Sequence, residues 1–211
     1  MYFIAVYTNK VKDYCDKKFF DRLQQTGGDI FVADNTPSMT YTKKLRKMGL
    51  EVDHIPVSPT PKKTLFQRNV QTSVNHLRDK FLASDYEHFI IVESDVLVPK
   101  NLLDLFDRAR ILADEWAAIG GLYHRSVHDF NHAGIDRLYK THCVLSGCTL
   151  YHRDMLQLFN FRWSDSNIGM FPDACWSHDI ITHTNKNLYD YGGIACEHMD
   201  KGWGDRGHKD L

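Results

Sequence analysis

The chain has 211 residues, 43% hydrophobic and 25% charged, with a formal net charge of −1, enough for one substantial core. That balance excludes a general polyanion binder, though not a local basic groove, and no apolar run approaches the length of a membrane span. Five cysteines without a paired CxxC spacing read as reduced thiols. The start, MYFIAVYTNKVKD, shows no basic leader or cleavage-site pattern, so a soluble, cytoplasmic protein with no integral membrane association is expected.

In chain order, Phe3-Ile4-Ala5-Val6-Tyr7 reads as a strand, and Phe19, Phe20 and Leu23 sit at helical spacing in a helix over 14–23 that Gly27-Gly28 ends. Ile30-Phe31-Val32-Ala33 is a second strand, closing on Asp34-Asn35. A short helix over 42–48 and a third strand over 52–57, weakened by Pro56, lead to a long helix over 65–82. Phe89-Ile90-Ile91-Val92 is the most apolar strand, a short run rich in β-branched residues, and a helical pattern begins near Asn101 after Pro99. Alternation of this kind predicts an α/β fold with a mostly parallel central sheet flanked by helices.

The second half is less regular. Trp116 to Leu122 reads as a strand, and 123–140 as a polar, histidine-rich loop. Val144-Leu145 and Thr149-Leu150-Tyr151 read as two strands meeting at a bend over Ser146-Gly147-Cys148. A short helix follows over 154–158, a further helix begins at Trp176, and Gly193 to Glu197 reads as a terminal strand. No repeat or linker divides the chain, so a single domain over 1–211 is expected.

Ligands of open α/β sheets sit at the carboxyl ends of the strands, and polar residues end three of these: Thr8-Asn9, Asp34-Asn35 and Glu93-Ser94-Asp95. Two carboxylates at the exit of a buried strand are expensive unless paired or metal-bound. Oxygen ligands of this type suit Mg2+ or Mn2+, which bind through one or two carboxylates plus substrate phosphates. The competing readings are a solvated turn with acids near the next helix's N-terminus and, for Asp34-Asn35-Thr36-Pro37, an ordinary turn. His124, His128 and His132 are spaced almost as on a helix, but no cysteine or acid completes a tetrahedral set, so a polar loop is the reading there.

Taken together these motifs resemble a family 2-type glycosyltransferase of the GT-A fold over nearly the whole chain. Glu93-Ser94-Asp95, with Val98-Pro99 and Leu102-Leu103, resembles that family's DxD region, and Phe66-Gln67-Arg68-Asn69 its "ARN" helix segment. Val32-Ala33-Asp34-Asn35 resembles the strand-end acid that meets the base, and Ser146-Gly147-Cys148-Thr149-Leu150 with Arg153 the "G…R" acceptor stretch. Ser177-His178-Asp179-Ile180 resembles the "ED" motif. The chain departs from the pattern at Glu93, where the family has aspartate, at His178, where it has an acid, and at Gln71, where it has glycine.

The resemblance implies a nucleotide-binding half over 1–100 and an acceptor-side half over 101–211, in a Mn2+- or Mg2+-dependent enzyme that moves a sugar from a nucleoside diphosphate, UDP favoured, to an acceptor hydroxyl with inversion. Asp95, Glu93 and His198 are the implied metal residues, with a hydrogen-bonded core histidine as the other reading of His198. Thr8, Asn9, Asp34, Asn35, Arg68, Glu93 and Ser94 are the implied donor residues, Arg68 either holding the diphosphate or bracing a site acid. Gly147, Trp176 and His178 are placed on the acceptor side, Trp176 as an apolar platform. Asp179 is the implied general base, on the expectation that it lies at a helix N-terminus, where capping is its alternative role. The acceptor is a glycan, a protein or a modified DNA base, and Lys62, Lys63, Arg78 and Lys80 form either a nucleic-acid face or solvated helix surface. A nucleotidyltransferase and a non-catalytic nucleotide-sugar-binding module are the competing functions.

Overall fold

The computed structural model describes residues 1–55, 63–122, 134–164 and 171–199. Within them an eight-stranded sheet comprises β1 (Tyr2–Thr8), β2 (Asp29–Asp34), β3 (Glu51–His54), β4 (His88–Val92), β6 (Trp116–Leu122), β7 (Leu138–Thr141), β8 (Cys148–Tyr151) and β9 (Asn187–Ala195), in the spatial order β3-β2-β1-β4-β8-β6-β9-β7. A separate antiparallel ribbon joins β5 (Val96–Leu97) to β10 (Glu197–His198). The helices are α1 (Asp16–Gln24), α2 (Met39–Lys47), α3 (Lys63–Leu82), α4 (Leu102–Leu112), α5 (Arg153–Leu158) and α6 (Pro172–His183), with a 3-10 turn at Lys10–Lys12.

Successive side chains of a strand point to opposite faces, and β1 shows what that achieves. Ile4 and Val6 enter one core with Phe19, Phe20 and Leu23 of α1, Leu45 of α2 and Phe106 of α4. Phe3 and Ala5 enter the other with Val74, Leu77 and Phe81 of α3, Leu156 of α5 and Trp176 of α6. A sheet buried on both faces needs strands apolar on both faces, which is why β4 reads as an unbroken apolar run. β1–β2, β1–β4, β2–β3 and β6–β9 pair in parallel. β8 is antiparallel to both β4 and β6, and β7 is antiparallel to β9.

Three expectations of the second half are corrected. Val144 and Leu145 are not a strand: the Val144 N–H donates to Ser177 Oγ and the Ser146 N–H to Asp173 Oδ2, so the ladder positions are taken by side chains of α6. The end of the stretch read as polar loop, 138–140, belongs to β7, whose Leu138 to Thr141 are ordered by pairing with β9 rather than by their own pattern. The helix expected to begin at Trp176 starts at Pro172, a residue suited to the first helical position because its missing N–H is not needed there. His124, His128 and His132 lie outside the described residues, as do Pro56 and Val57.

Candidate functional site

The parallel half delivers its polar strand ends side by side. Thr8 pairs in register with Asp34, and the Asn35 N–H donates to the Thr8 carbonyl at 3.0 Å. After β4 the chain turns tightly, with the Val96 N–H donating to Glu93 O at 2.9 Å, so Glu93 and Asp95 leave the strand within one turn. The Glu93 N–H donates to the Gly147 carbonyl at 3.0 Å, which ties the acid turn to the second half of the chain. The ribbon does the rest: His198 lies opposite Val96, and the Met199 N–H donates to Asp95 O at 2.7 Å.

As a result the ligand-type atoms of Glu93, Asp95 and His198 all lie within 4.8 Å of one another. Asp95 is fully buried, its Oδ2 ion-paired to Lys12 Nζ and 3.6 Å from His198 Nε2. Glu93 Oε1 accepts from the Tyr7 hydroxyl at 2.5 Å and from Ser146 Oγ at 3.2 Å. Burial and the Glu93 charge beside it hold the Tyr7 phenol well above its ordinary pKa, so it stays a donor. Asp95 Oδ1 is buried with no hydrogen-bond partner among the described residues. An orphaned buried acceptor costs about 1–3 kcal/mol, and a second ligand at that oxygen would remove the cost. Two carboxylates and one imidazole form a donor set that fits Mn2+ or Mg2+.

The donor candidates separate into two kinds. Thr8, Asn9, Asn35 and Ser94 line a cleft together with Glu93 and Asp95. Asn9 Nδ2 donates to Asn35 Oδ1 at 2.7 Å, which holds the two amides together at its edge. Asp34 is not among the lining residues: it is fully buried, Oδ1 accepting the Thr36 N–H at 2.8 Å and Oδ2 the Thr42 hydroxyl at 2.6 Å. It is spent on the turn that presents Asn35. Arg68 is exposed, lies over the Trp163 ring at 5.0 Å from its centroid, and does not line the cleft either.

The acceptor candidates are rearranged more strongly. Gly147 is next to the acid turn through its carbonyl. Trp176 is fully buried between Tyr151 and Phe161, so it cannot be a platform for an acceptor. His178 is half-buried on α6. Asp179 is the eighth residue of that helix, not at its N-terminus, and Arg162 clamps it through Nε and a terminal nitrogen, both at 2.7 Å. The acid in the first turn is Asp173. Its Oδ2 accepts the Ser146 N–H at 2.9 Å, and Ser146 Oγ in turn donates to Glu93, so one serine joins Asp173 to the cluster. Burial pushes the Asp173 carboxyl above its ordinary range, with the Glu93 charge adding to the rise and N–H donors from Ser146 and Ala174 opposing it.

Arg153, read as acceptor-side, donates instead to the carbonyls of Leu82, Ser84 and Tyr86 and closes the end of α3. Arg78 is buried on the Leu156 carbonyl, and Lys80 pairs with Glu51 and Asp53, so neither offers a free charge to nucleic acid. Lys62 lies outside the described residues. Sequence reasoning missed Lys12, Tyr7, Ser146 and Asp173 as site residues. Pro172-Asp173 carried a usable signal, a proline followed by an acid as a helix opens.

No protein-family model matches the sequence, and no curated protein matches it. Solved structures do. The mannosyltransferase PcManGT from Pyrobaculum calidifontis, in complex with GDP-Man and Mn2+, matches with a TM-score of 0.63 at 14% identity, over 97% of this chain and 59% of that one. TarS from S. aureus matches with a TM-score of 0.62 at 12% identity, over 95% of this chain and 37% of that one. GalNAc-T7, with UDP, GalNAc and Mn2+, matches with a TM-score of 0.61 at 10% identity, over 96% of this chain and 45% of that one. The chain thus spans less than two thirds of the length of each. At these identities the likeness is one of architecture, and on that ground the chain has the GT-A glycosyltransferase fold.

Proposed function

We propose that the protein is a metal-dependent glycosyltransferase that moves a sugar from a nucleoside diphosphate, UDP favoured, to an acceptor hydroxyl with inversion. The convergence of Glu93, Asp95 and His198 within 4.8 Å at the strand ends carries this reading. Two structures of the same fold, PcManGT and GalNAc-T7, were solved with Mn2+ and a nucleotide or nucleotide sugar, which supports it. Asp95, Glu93 and His198 would hold Mn2+ or Mg2+, which supplies positive charge to a diphosphate leaving group.

The chain's own residues do the remaining work. Asn9 and Asn35, locked to each other, frame the base and ribose with Thr8, while Asp34 fixes the turn beneath them. Tyr7 and Ser146 fix Glu93 by two hydrogen bonds, so it needs no reorganisation when charge develops. Of the two acids on α6, Asp173 is coupled to the cluster through Ser146 while Asp179 is held by Arg162, so the base role is assigned to Asp173. Attack by a hydroxyl so activated, on the face opposite the diphosphate, inverts the anomeric centre. Gly147 and His178 border the acceptor side, and a glycan, a protein or a modified DNA base fits this chemistry. Five unbridged cysteines suit a reducing, cytoplasmic compartment, and no helix among the described residues is long and apolar enough to cross a membrane.

The test is a panel of UDP-, GDP- and TDP-sugars, each titrated with and without Mn2+ and followed for donor hydrolysis. Metal-dependent binding and slow hydrolysis of one donor are expected. Release of pyrophosphate from a nucleoside triphosphate would point to a nucleotidyltransferase instead, and binding without turnover to a non-catalytic module.

A further inference from the structure

Lys12 stands where two demands meet. It ends the 3-10 turn that Asn9 caps, Asn9 Oδ1 accepting the Val11 N–H at 3.2 Å. The Cys15 thiol lies 3.0 Å from the Lys12 carbonyl and 3.2 Å from the Ser94 carbonyl, which pins the Lys12 backbone beside the acid turn. The side chain is 30% exposed, yet its ammonium reaches Asp95, whose side chain is fully buried. The oxygen it holds, Oδ2, is the one that faces His198 Nε2 at 3.6 Å. Lys12 also lines the cleft with Thr8, Asn9 and Asn35.

We propose that Lys12 is a mobile counter-charge that makes cation and donor bind cooperatively: its ammonium neutralises Asp95 in the free protein and transfers to the donor's diphosphate when a divalent cation takes its place. This rests on the metal-site reading given above. A buried carboxylate without a counter-charge is unfavourable, so Asp95 needs a cation whether or not a metal is bound. The charge sits at the end of a long flexible stem, which suits such a transfer. A divalent cation arriving alone must displace Lys12 and meets its repulsion. One arriving with a diphosphate meets neither penalty in full, because the phosphate oxygens receive the ammonium. Coupling of this kind is reciprocal.

The experiment measures Mn2+ affinity of the purified full chain by electron paramagnetic resonance of free Mn2+, alone and with saturating UDP or GDP. Wild type binds Mn2+ weakly alone and at least tenfold more tightly with one of the nucleotides, within the usual range of coupling. In Lys12→Met, Mn2+ alone binds about tenfold more tightly than in wild type and the nucleotide adds less than threefold. Lys12→Gln, which keeps a hydrogen bond to Asp95 without the charge and guards against misfolding of the first variant, behaves the same way. Lys12→Arg keeps the wild-type coupling. Unchanged Mn2+ affinity and unchanged coupling in Lys12→Met and Lys12→Gln would overturn the role of Lys12 alone. Failure of wild type to bind Mn2+ with or without either nucleotide would overturn it together with the metal site.

Discussion

The two halves of the sheet obey different rules. In β3-β2-β1-β4 every pairing is parallel, and the candidate groups fall where the strands end, Thr8 and Asn9 at the end of β1, Asn35 after β2, Glu93 and Asp95 after β4. In the other half β8 is threaded antiparallel between β4 and β6, and the groups that reach the cluster come from a loop (Ser146), a helix start (Asp173) and a two-residue ribbon (His198). In the first half, sequence position translates directly into site position. In the second, bonds between side chains and distant backbone decide what arrives.

The sharpest way to break this comparison is Asp95→Ala, which removes a strand-end group of the regular half. Mn2+-dependent turnover falls by roughly a thousandfold or more while circular dichroism stays native; unchanged Mn2+-dependent donor affinity would remove Asp95 from the metal set. Trp176→Ala tests whether α6 serves packing rather than acceptor contact. It lowers unfolding stability by about 3–5 kcal/mol in denaturant titration, and an effect confined to acceptor KM would restore the platform reading.

Asp173→Asn and Asp179→Asn place the base on one helix. The first lowers turnover about a hundredfold at near-normal donor affinity, the second less than about threefold, since Arg162 can still bond the amide oxygen. The reverse order would return the base to Asp179. His198→Ala weakens Mn2+ binding about tenfold, the order for disturbing a metal's surroundings; intact affinity would leave it a core histidine.

The smallest effect belongs to the regular half alone. Burial by itself would raise the Asp53 carboxyl, but hydrogen bonds from His76 at 2.9 Å and Lys80 at 3.0 Å hold it below its ordinary value. A folded pKa below the unfolded one contributes stability at neutral pH that is lost as pH falls through the acid range. The Tm gap between wild type and Asp53→Asn therefore narrows between about pH 5 and pH 3, and a gap independent of pH would remove Asp53 as its source.

Much of the regular half was legible because its cues are local. Phe3 to Tyr7, Ile30 to Ala33 and Phe89 to Val92 announce strands, and an acid pair after the most apolar of them announces a site. Asp34 misled because an identical strand-end position can face inward, and only Thr36 and Thr42 reveal that its oxygens are spent. Trp176 and Ile180, four apart on α6, already had the spacing of a buried stripe. Asp179 depended on Arg162, which no local pattern connects to it. Lys12 looks in sequence like any solvated lysine; its reach to Asp95 exists only once residues 83 positions apart have met.

The β5–β10 ribbon sets an order in time. Asp95 and His198 face each other through it, yet they lie 103 positions apart in the chain. At a synthesis rate of about 5–20 residues per second, the acid turn leaves the ribosome roughly 5–20 s before the imidazole. During that interval Lys12, made earlier than either, is already available to neutralise the buried acid. On the metal-site reading proposed above, the set of Glu93, Asp95 and His198 is complete only once β10 pairs with β5.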